Sequence, residues 1–284
     1  MKNCAIVVTF RPDIAEFRTN LEQLKTQVNK VFVIDNTPNQ DPIYLELQKL
    51  LSQETFVDFV QIVQNGKNLG IAKALNQGIS LALEQKFDYI STFDQDSQAE
   101  NGMILNLLNF IENSTNKFII VSPESTDKFE TTKHLERPEL VDKTITSGMT
   151  FAKVVIEKCG LMNEKLFIDY VDFEFCLRFQ KMQGNIYTIP GPKLRHSLGD
   201  LSEFKFLNKT FWPTNHSAFR RYFITRNRIF VWIKYFRFFP KWVLRDIKFF
   251  VIETLLILLA EKDKLNKVLA ILAGSRDVVF NRYG

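Results

Sequence analysis

Asp88-Tyr89-Ile90-Ser91-Thr92-Phe93-Asp94-Gln95-Asp96 is a short apolar run that ends in two carboxylates. A run of this length bounded by polar residues reads as a buried strand, which places both acids at its carboxyl end. In an open α/β sheet, ligands bind in the crevice outside the strand ends. Hard oxygen ligands there suit Mg²⁺ or Mn²⁺ carrying phosphates. Acidic residues in turns and at helix starts are also common for purely structural reasons, so the flanking chain has to separate the two readings.

Upstream, the run from Cys4 to Val8 and the run Val31-Phe32-Val33-Ile34 have the same strand character, and Val57 to Val63 reads as a third. Between them, Ile14, Phe17, Leu21 and Leu24 recur at helical spacing, and Tyr44 to Leu51 continues the alternation. The loop Asn65-Gly66-Lys67-Asn68-Leu69-Gly70 leads into a helix from Ile71 to about Gln85. Downstream, Met103 to Ile111 reads as a helix, Phe118 to Val121 as a strand, Ser125 to Lys143 as a polar loop, and Phe173 to Gln183 as a helix closed by Gly184. Apolar strands alternating with helices predict an α/β domain, a mostly parallel sheet covered on both faces.

The composition, 45% hydrophobic over 284 residues, suits one large globular domain with an appendage. Three cysteines with no Cys-x-x-Cys spacing support neither a disulfide framework nor a zinc ribbon, and fit a reducing cytosolic setting. The amino terminus enters a strand directly, without a signal-like apolar segment. Charge is unevenly spread. Residues 1–204 carry 21 Lys+Arg against 27 Asp+Glu, whereas residues 205–284 carry 16 against 5. The C-terminal region is therefore a basic module facing an anionic partner.

Three strand ends converge on one edge of the expected sheet: Thr9-Phe10-Arg11, Asp35-Asn36 and Asp94-Gln95-Asp96. Acids there supply the hydrogen-bond acceptors that a nucleotide base and ribose need; the structural alternative for Asp35 is an Asx-turn. No G-x-G-x-x-G follows the first strand and no G-x-x-x-x-G-K-[ST] occurs, which removes dinucleotide-fold and P-loop readings.

Taken in order, VVTFRP (7–12), VIDN (33–36), NLGIAKALNQG (68–78), FDQD (93–96), TSG (146–148), FIDYVDFEFCLR (167–178) and Arg195-His196 resemble the family 2 glycosyltransferases of GT-A fold, most of all bacterial rhamnosyltransferases. The match runs over about residues 4–228. The resemblance implies that Thr9, Arg11 and Asp35 hold the base, that Asn68 and Gly70 approach the nucleotide with Lys73 and Asn76 close by, and that Asp94 contacts ribose or sugar. It further implies Asp96 and His196 as ligands of a divalent metal, Mg²⁺ or Mn²⁺, and Ser147, Gly148, Asp169 and Glu174 on the acceptor side. A carboxylate and an imidazole do suit such an ion at an incomplete site, although a lone histidine is more often structural. Asp172 falls where relatives carry the base, but Val171 replaces their commonest Glu, as in the rhamnosyltransferase-like subset. Asp172 would also serve as a helix cap with Glu174 in the first turn. Arg226 is the cation expected at the diphosphate, with a solvated basic face as its alternative.

In the basic module, Lys234, Arg237, Lys241, Arg245 and Lys248 share one helical face if Pro240 only bends the axis. Trp232, Tyr235, Phe236, Phe238, Phe239, Trp242 and Phe249 lie between them. Cations opposite aromatics mark a helix in a membrane interface, expected over residues 229–260; a homodimer interface or plain core is the alternative. Nucleic acid is disfavoured because the acidic crevice repels a polyanion. No apolar window is long enough to span a bilayer.

The expectation is thus a GT-A catalytic domain at 1–204, with nucleotide-sugar binding in about 1–100 and an acceptor part in about 101–204, followed by an amphipathic helical region at 205–284. The resemblance implies an inverting, metal-dependent enzyme that moves L-rhamnose from dTDP-L-rhamnose to a lipid-linked saccharide of a bacterial surface polysaccharide, at the cytoplasmic face of the membrane. UDP-galactofuranose or UDP-glucose is the alternative donor. A nucleotidylyltransferase needs a glycine-rich loop that TFRPD lacks, and a non-catalytic membrane adaptor has no use for both Asp96 and Asp172.

Overall fold

The computed structural model describes residues 1–126, 135–195, 204–206 and 209–282. In chain order its elements are β1 (Asn3–Thr9), α1 (Ile14–Lys25), β2 (Lys30–Asp35), α2 (Pro42–Leu51), α3 (Glu54–Val57), β3 (Val60–Gln64), α4 (Ile71–Glu84), β4 (Tyr89–Asp94), β5 (Gln98–Ala99), α5 (Met103–Asn113) and β6 (Ile119–Thr126). There follow β7 (Glu139–Leu140), β8 (Met149–Ala152), α6 (Val154–Cys159), α7 (Val171–Lys181), β9 (Asn185–Arg195), β10 (Phe204–Phe206), β11 (Lys209–Phe211), α8 (Ala218–Tyr235), α9 (Pro240–Ala260) and α10 (Lys264–Val279). They form two compact units: residues 1–164 with 171–197, and residues 165–170 with 198–284.

In the first unit the main sheet runs β3-β2-β1-β4-β8-β6-β9-β5, with β7 paired to β9. The four strands β3, β2, β1 and β4 are parallel, as their continuous apolar character predicts. β8 lies antiparallel between β4 and β6, and β9 runs parallel to β6. Alternate residues of β1 serve opposite faces. Ala5 and Val7 pack with Phe17, Leu21 and Leu24 of α1 in the larger core, while Ile6 meets α4 at Gly78. Complete burial of an aliphatic side chain such as Ile6 is worth about 1.5–3 kcal/mol.

Local chemistry accounts for the ends of the elements. The Asp13 carboxylate accepts the Ala15 and Glu16 amides and starts α1. Asp41 accepts the Ile43 amide and Pro42 opens α2. Val57, expected in a strand, instead closes the short α3, and β3 begins at Val60.

Among its described residues the second unit contains the antiparallel pair β10–β11 and the helices α8, α9 and α10. Pro240 does not bend a continuous axis but sits at the first turn of the separate helix α9. Lys234, Arg237, Lys241, Arg245 and Lys248 are exposed. The aromatics divide: Tyr235 and Trp242 are buried, whereas Phe236, Phe238 and Phe249 remain exposed. α10 packs on α8 where Gly274 lets the backbones approach; a Cβ there would stand 2.6 Å from the Tyr222 carbonyl. Buried Glu261 is satisfied by Arg221 at 2.9 Å and Lys267 at 2.7 Å, the pairing that a buried charge requires. Among the described residues no helix is long and apolar enough to cross a membrane.

Candidate functional site

The strand register brings the expected residues into one row. Thr9 stands beside Asp35, Asp35 beside Gln64, and Val8 beside Asp94, so β1, β2, β3 and β4 deliver their carboxyl ends to the same edge of the first unit. Asp35 is fully buried. One of its oxygens accepts the Thr9 hydroxyl at 2.8 Å, the Thr37 hydroxyl at 2.7 Å and the Thr37 amide at 3.1 Å. The last is the Asx-turn foreseen as the structural reading. Its second oxygen is buried with no hydrogen-bond partner, an expensive arrangement for a protein to keep without a use.

Thr9 thus gives its hydroxyl proton to Asp35 and orients that carboxylate. Arg11 has a positive φ of 49°, donates its amide to Thr37 Oγ1 and pairs with Asp41 at 2.5 Å. Its side chain is 57% exposed and free of the core. Asn36, next along the chain, is a hub. It donates to the Gly70 carbonyl, and its side-chain oxygen accepts from the Asn65 amide group and the Leu69 main chain. Asn68 accepts the Gly70 amide at 2.9 Å, so the loop is pre-shaped at the start of α4. Lys73 is exposed in the first turn of that helix.

The buried Asn76 amide bonds the Met162 carbonyl and Glu164 and accepts from the Met162 main chain, all within 3.0 Å, so it secures the 162–164 segment.

Asp94 and Asp96 are half-exposed around the turn after β4, able to present oxygens outward. The turn itself is braced from three sides. The Asn20 amide donates to the Asp94 and Gln95 carbonyls, both at 3.3 Å. Gln95 accepts the Phe10 amide at 2.8 Å. Ser147 accepts the Asp94 amide and shares a 2.5 Å hydrogen bond with Ser97. Ser147 therefore buttresses the acidic turn. Gly148 has φ +80° and donates to the Thr92 carbonyl; a Cβ there would lie 2.9 Å from Pro123 Cδ, so only glycine fits.

Among the described residues no cluster of three or more His, Cys, Asp or Glu side chains forms a complete metal cage. A half-exposed carboxylate such as that of Asp96 suits an Mg²⁺ or Mn²⁺ ion that keeps waters and takes phosphate oxygens. His196, the other expected ligand, lies outside the described residues.

Asp172 sits half-buried in the first turn of α7, its carboxylate accepting the Phe173 amide at 2.8 Å. Glu174, expected on the acceptor side, is fully buried and paired to Arg178 at 3.1 Å, so it serves the helix. Burial pushes the Cys176 thiol on the same helix up to about 12, which leaves it protonated and no nucleophile. In the second unit, Asp169 takes a guanidinium fork from Arg220, the nearest contact 2.9 Å. Arg226, expected at the diphosphate, is 1% exposed and donates to the Lys165 carbonyl and Asn227. Its charge is held inside the unit. Asn20, Asn36 and Ser97 are the supporting residues the sequence did not single out.

A family model described as Glycosyl transferase family 2 matches residues 4–170. The chain is 32% identical over 298 residues to the dTDP-rhamnosyl transferase RfbF of Shigella flexneri, across 96% of this chain and 95% of that one. Among solved structures, GalNAc-T7 with UDP, GalNAc and Mn²⁺ superposes with a TM-score of 0.64 at 12% identity, over 86% of this chain and 49% of that one. Staphylococcus aureus TarS 1–349 in complex with UDP gives 0.54 at 13% identity, over 99% and 73%. At such identities the structural likeness speaks for the fold alone.

Proposed function

The chain belongs to glycosyl transferase family 2, and on that premise we propose that this glycosyltransferase moves L-rhamnose from dTDP-L-rhamnose to a lipid-linked saccharide during synthesis of a bacterial surface polysaccharide. The observation that carries the reading is the row of Thr9, Asp35 and Asp94 at adjoining strand ends, with one buried Asp35 oxygen held ready for a donor such as a pyrimidine N–H. The choice of sugar rests on the near full-length likeness to RfbF.

Asp96 would hold a divalent ion, which would supply positive charge against the departing diphosphate, with Asp94 beside it at the ribose or sugar. Asp172 takes the proton of the acceptor hydroxyl as that oxygen attacks the anomeric carbon. The bond to the diphosphate oxygen breaks with its electron pair, dTDP leaves from the opposite face, and the configuration inverts. Asn20, Gln95 and Ser147 keep the acidic turn in place through this step, so that little reorganisation is needed.

The acceptor would be met at the membrane. Leu244, Val251, Leu255 and Leu258 recur on one face of α9, and Leu265, Leu269 and Leu272 on one face of α10, all exposed. Lys241, Lys248 and Lys262 flank them in solvent. Exposed leucines beside lysines fit the interface of an anionic bilayer on the cytoplasmic side.

A donor panel tests the proposal. Purified protein with Mg²⁺ or Mn²⁺ is expected to release nucleotide from dTDP-L-rhamnose, and to be stabilised by it, in preference to UDP-glucose and UDP-galactofuranose. Preference for either UDP-sugar would refute the rhamnose donor and keep the family assignment.

A further inference from the structure

Asp35 and Gln64 are partners in the register of β2 and β3, each the last residue of its strand. Residues two apart in a strand share a face. Val31 and Val33 on β2, with Val60 and Ile62 on β3, pack into the core that holds residues of α1 and α2, and Asp35 and Gln64 continue that face to the edge. The two strand ends are tied together beyond the last pair. The Asn65 amide donates to the Asp35 carbonyl at 2.8 Å, and the Asn65 side chain donates to Asn36 at 3.0 Å.

Both side chains keep one polar atom in reserve, and the two atoms are of opposite kind. Oδ1 of Asp35 takes the hydrogen bonds from Thr9 and Thr37, while Oδ2 is buried with no hydrogen-bond partner. Oε1 of Gln64 accepts the Gln48 side-chain amide at 2.7 Å, which turns that oxygen towards α2, and Nε2 is buried with no hydrogen-bond partner. A buried donor or acceptor left unpaired is costly, and native proteins keep few of them. Here one acceptor and one donor stand on neighbouring strand ends, at the edge assigned to the nucleotide.

We propose that Gln64 is a specificity-determining residue for the donor nucleotide: its amide donates to a carbonyl of the base while Asp35 accepts from the ring N–H beside that carbonyl. The proposal rests on the reading of this edge as the nucleotide site. An acceptor next to a donor is the complement of a lactam, a ring N–H flanked by C=O. Thymine and uracil carry that edge at N3, and guanine carries it on a larger ring. Cytosine and adenine have a bare ring nitrogen beside an amino group instead, so the Asp35 oxygen would face a lone pair and the Gln64 amide another N–H. Groups that are buried and mismatched reject a ligand more strongly than an apolar pocket does. The pair reads the base alone, so it bears on which nucleotide is accepted and not on which sugar that nucleotide carries.

The test measures binding of dTDP, dUDP and dCDP, in the presence of Mg²⁺, to the full-length wild type, Gln64→Met, Gln64→Glu and Asp35→Asn; the three nucleotides hold ring size constant. Gln64→Met keeps the length of the side chain and removes the donor, whereas Gln64→Glu also keeps the acceptor for Gln48. The wild type is expected to bind dTDP and dUDP about tenfold or more tighter than dCDP. Both Gln64 variants are expected to weaken dTDP and dUDP about ten- to a hundredfold and to change dCDP little, so that the preference narrows. Wild-type discrimination in both Gln64 variants, with discrimination lost in Asp35→Asn, would overturn the role of Gln64 and keep that of Asp35. No preference against dCDP in the wild type would overturn the reading of the Asp35 edge as a base site together with the proposal. Equal weakening of all three nucleotides in both Gln64 variants would reduce Gln64 to a prop for the end of β3 and overturn the proposal.

Discussion

The side-chain amide of Asn20, in the middle of α1, donates to the main-chain carbonyl of Asp94 at the tip of β4, 74 residues further on. The same amide reaches the Gln95 carbonyl, so a helix packed on the sheet face holds the turn that presents the two acids. Asn20 is fully buried. Asn20→Leu keeps approximate volume and removes both donors, which is expected to cost about 1–3 kcal/mol of stability and to raise donor KM at limiting Mg²⁺. Melting curves and metal-dependent donor titrations check this. Unchanged donor affinity across the metal range would show that the brace is dispensable.

That brace also marks the limit of the sequence reading. The strands β1, β2 and β4 were legible because each is a near-continuous apolar run ending in an acid or hydroxyl. β9 was not, since Pro190 and Gly191 interrupt its pattern, and its pairing with β6 is set by partners far along the chain. α10 escaped because several of its leucines face solvent, while Lys267, Ile271 and Gly274 lie inward. At the site, the placing of Asp35 and Asp94 at strand ends could be read from the apolar runs before them, while the roles proposed for these acids, for Asp96 and for Asp172 rest on the family resemblance. Thr9, Asn76, Ser147, Glu174 and Arg226 each have protein partners that residue type and order could not name. A polar side chain takes whichever partner the tertiary fold brings, and for Thr9 and Asn76 that partner lies 26 and 88 residues away.

His216 provides a pH test of the second unit. Burial, aided by the Arg220 and Arg221 guanidinium groups, lowers it from 6.5 to about 4. Between those values the unfolded chain binds a proton that the folded chain refuses, so stability is level for this group above about pH 6.5 and falls as the pH drops towards 4. Tm measured at pH 7.5 and pH 5 should therefore fall further in the wild type than in His216→Asn. Equal losses would mean that His216 titrates alike in both states.

For the helical face, co-sedimentation with vesicles containing anionic phospholipid is the measurement. The double substitution Leu255→Glu with Leu269→Glu places charge on exposed positions of α9 and α10, where folding is little affected. Bound protein should drop sharply, and the remainder should dissociate with added salt. Equal partitioning of the wild type and the double variant would dismiss the lipid surface and favour a second copy of the chain on this face.

The assignment of Asp172 as the group that deprotonates the acceptor is the central claim, and one comparison tests it most directly. Transfer of rhamnose from dTDP-L-rhamnose to a lipid-linked acceptor is measured for the wild type and Asp172→Asn, with the donor-induced thermal shift as the control for binding. The account predicts a loss of about 10²- to 10⁴-fold in kcat with the thermal shift retained. Transfer by Asp172→Asn at the wild-type rate would contradict it.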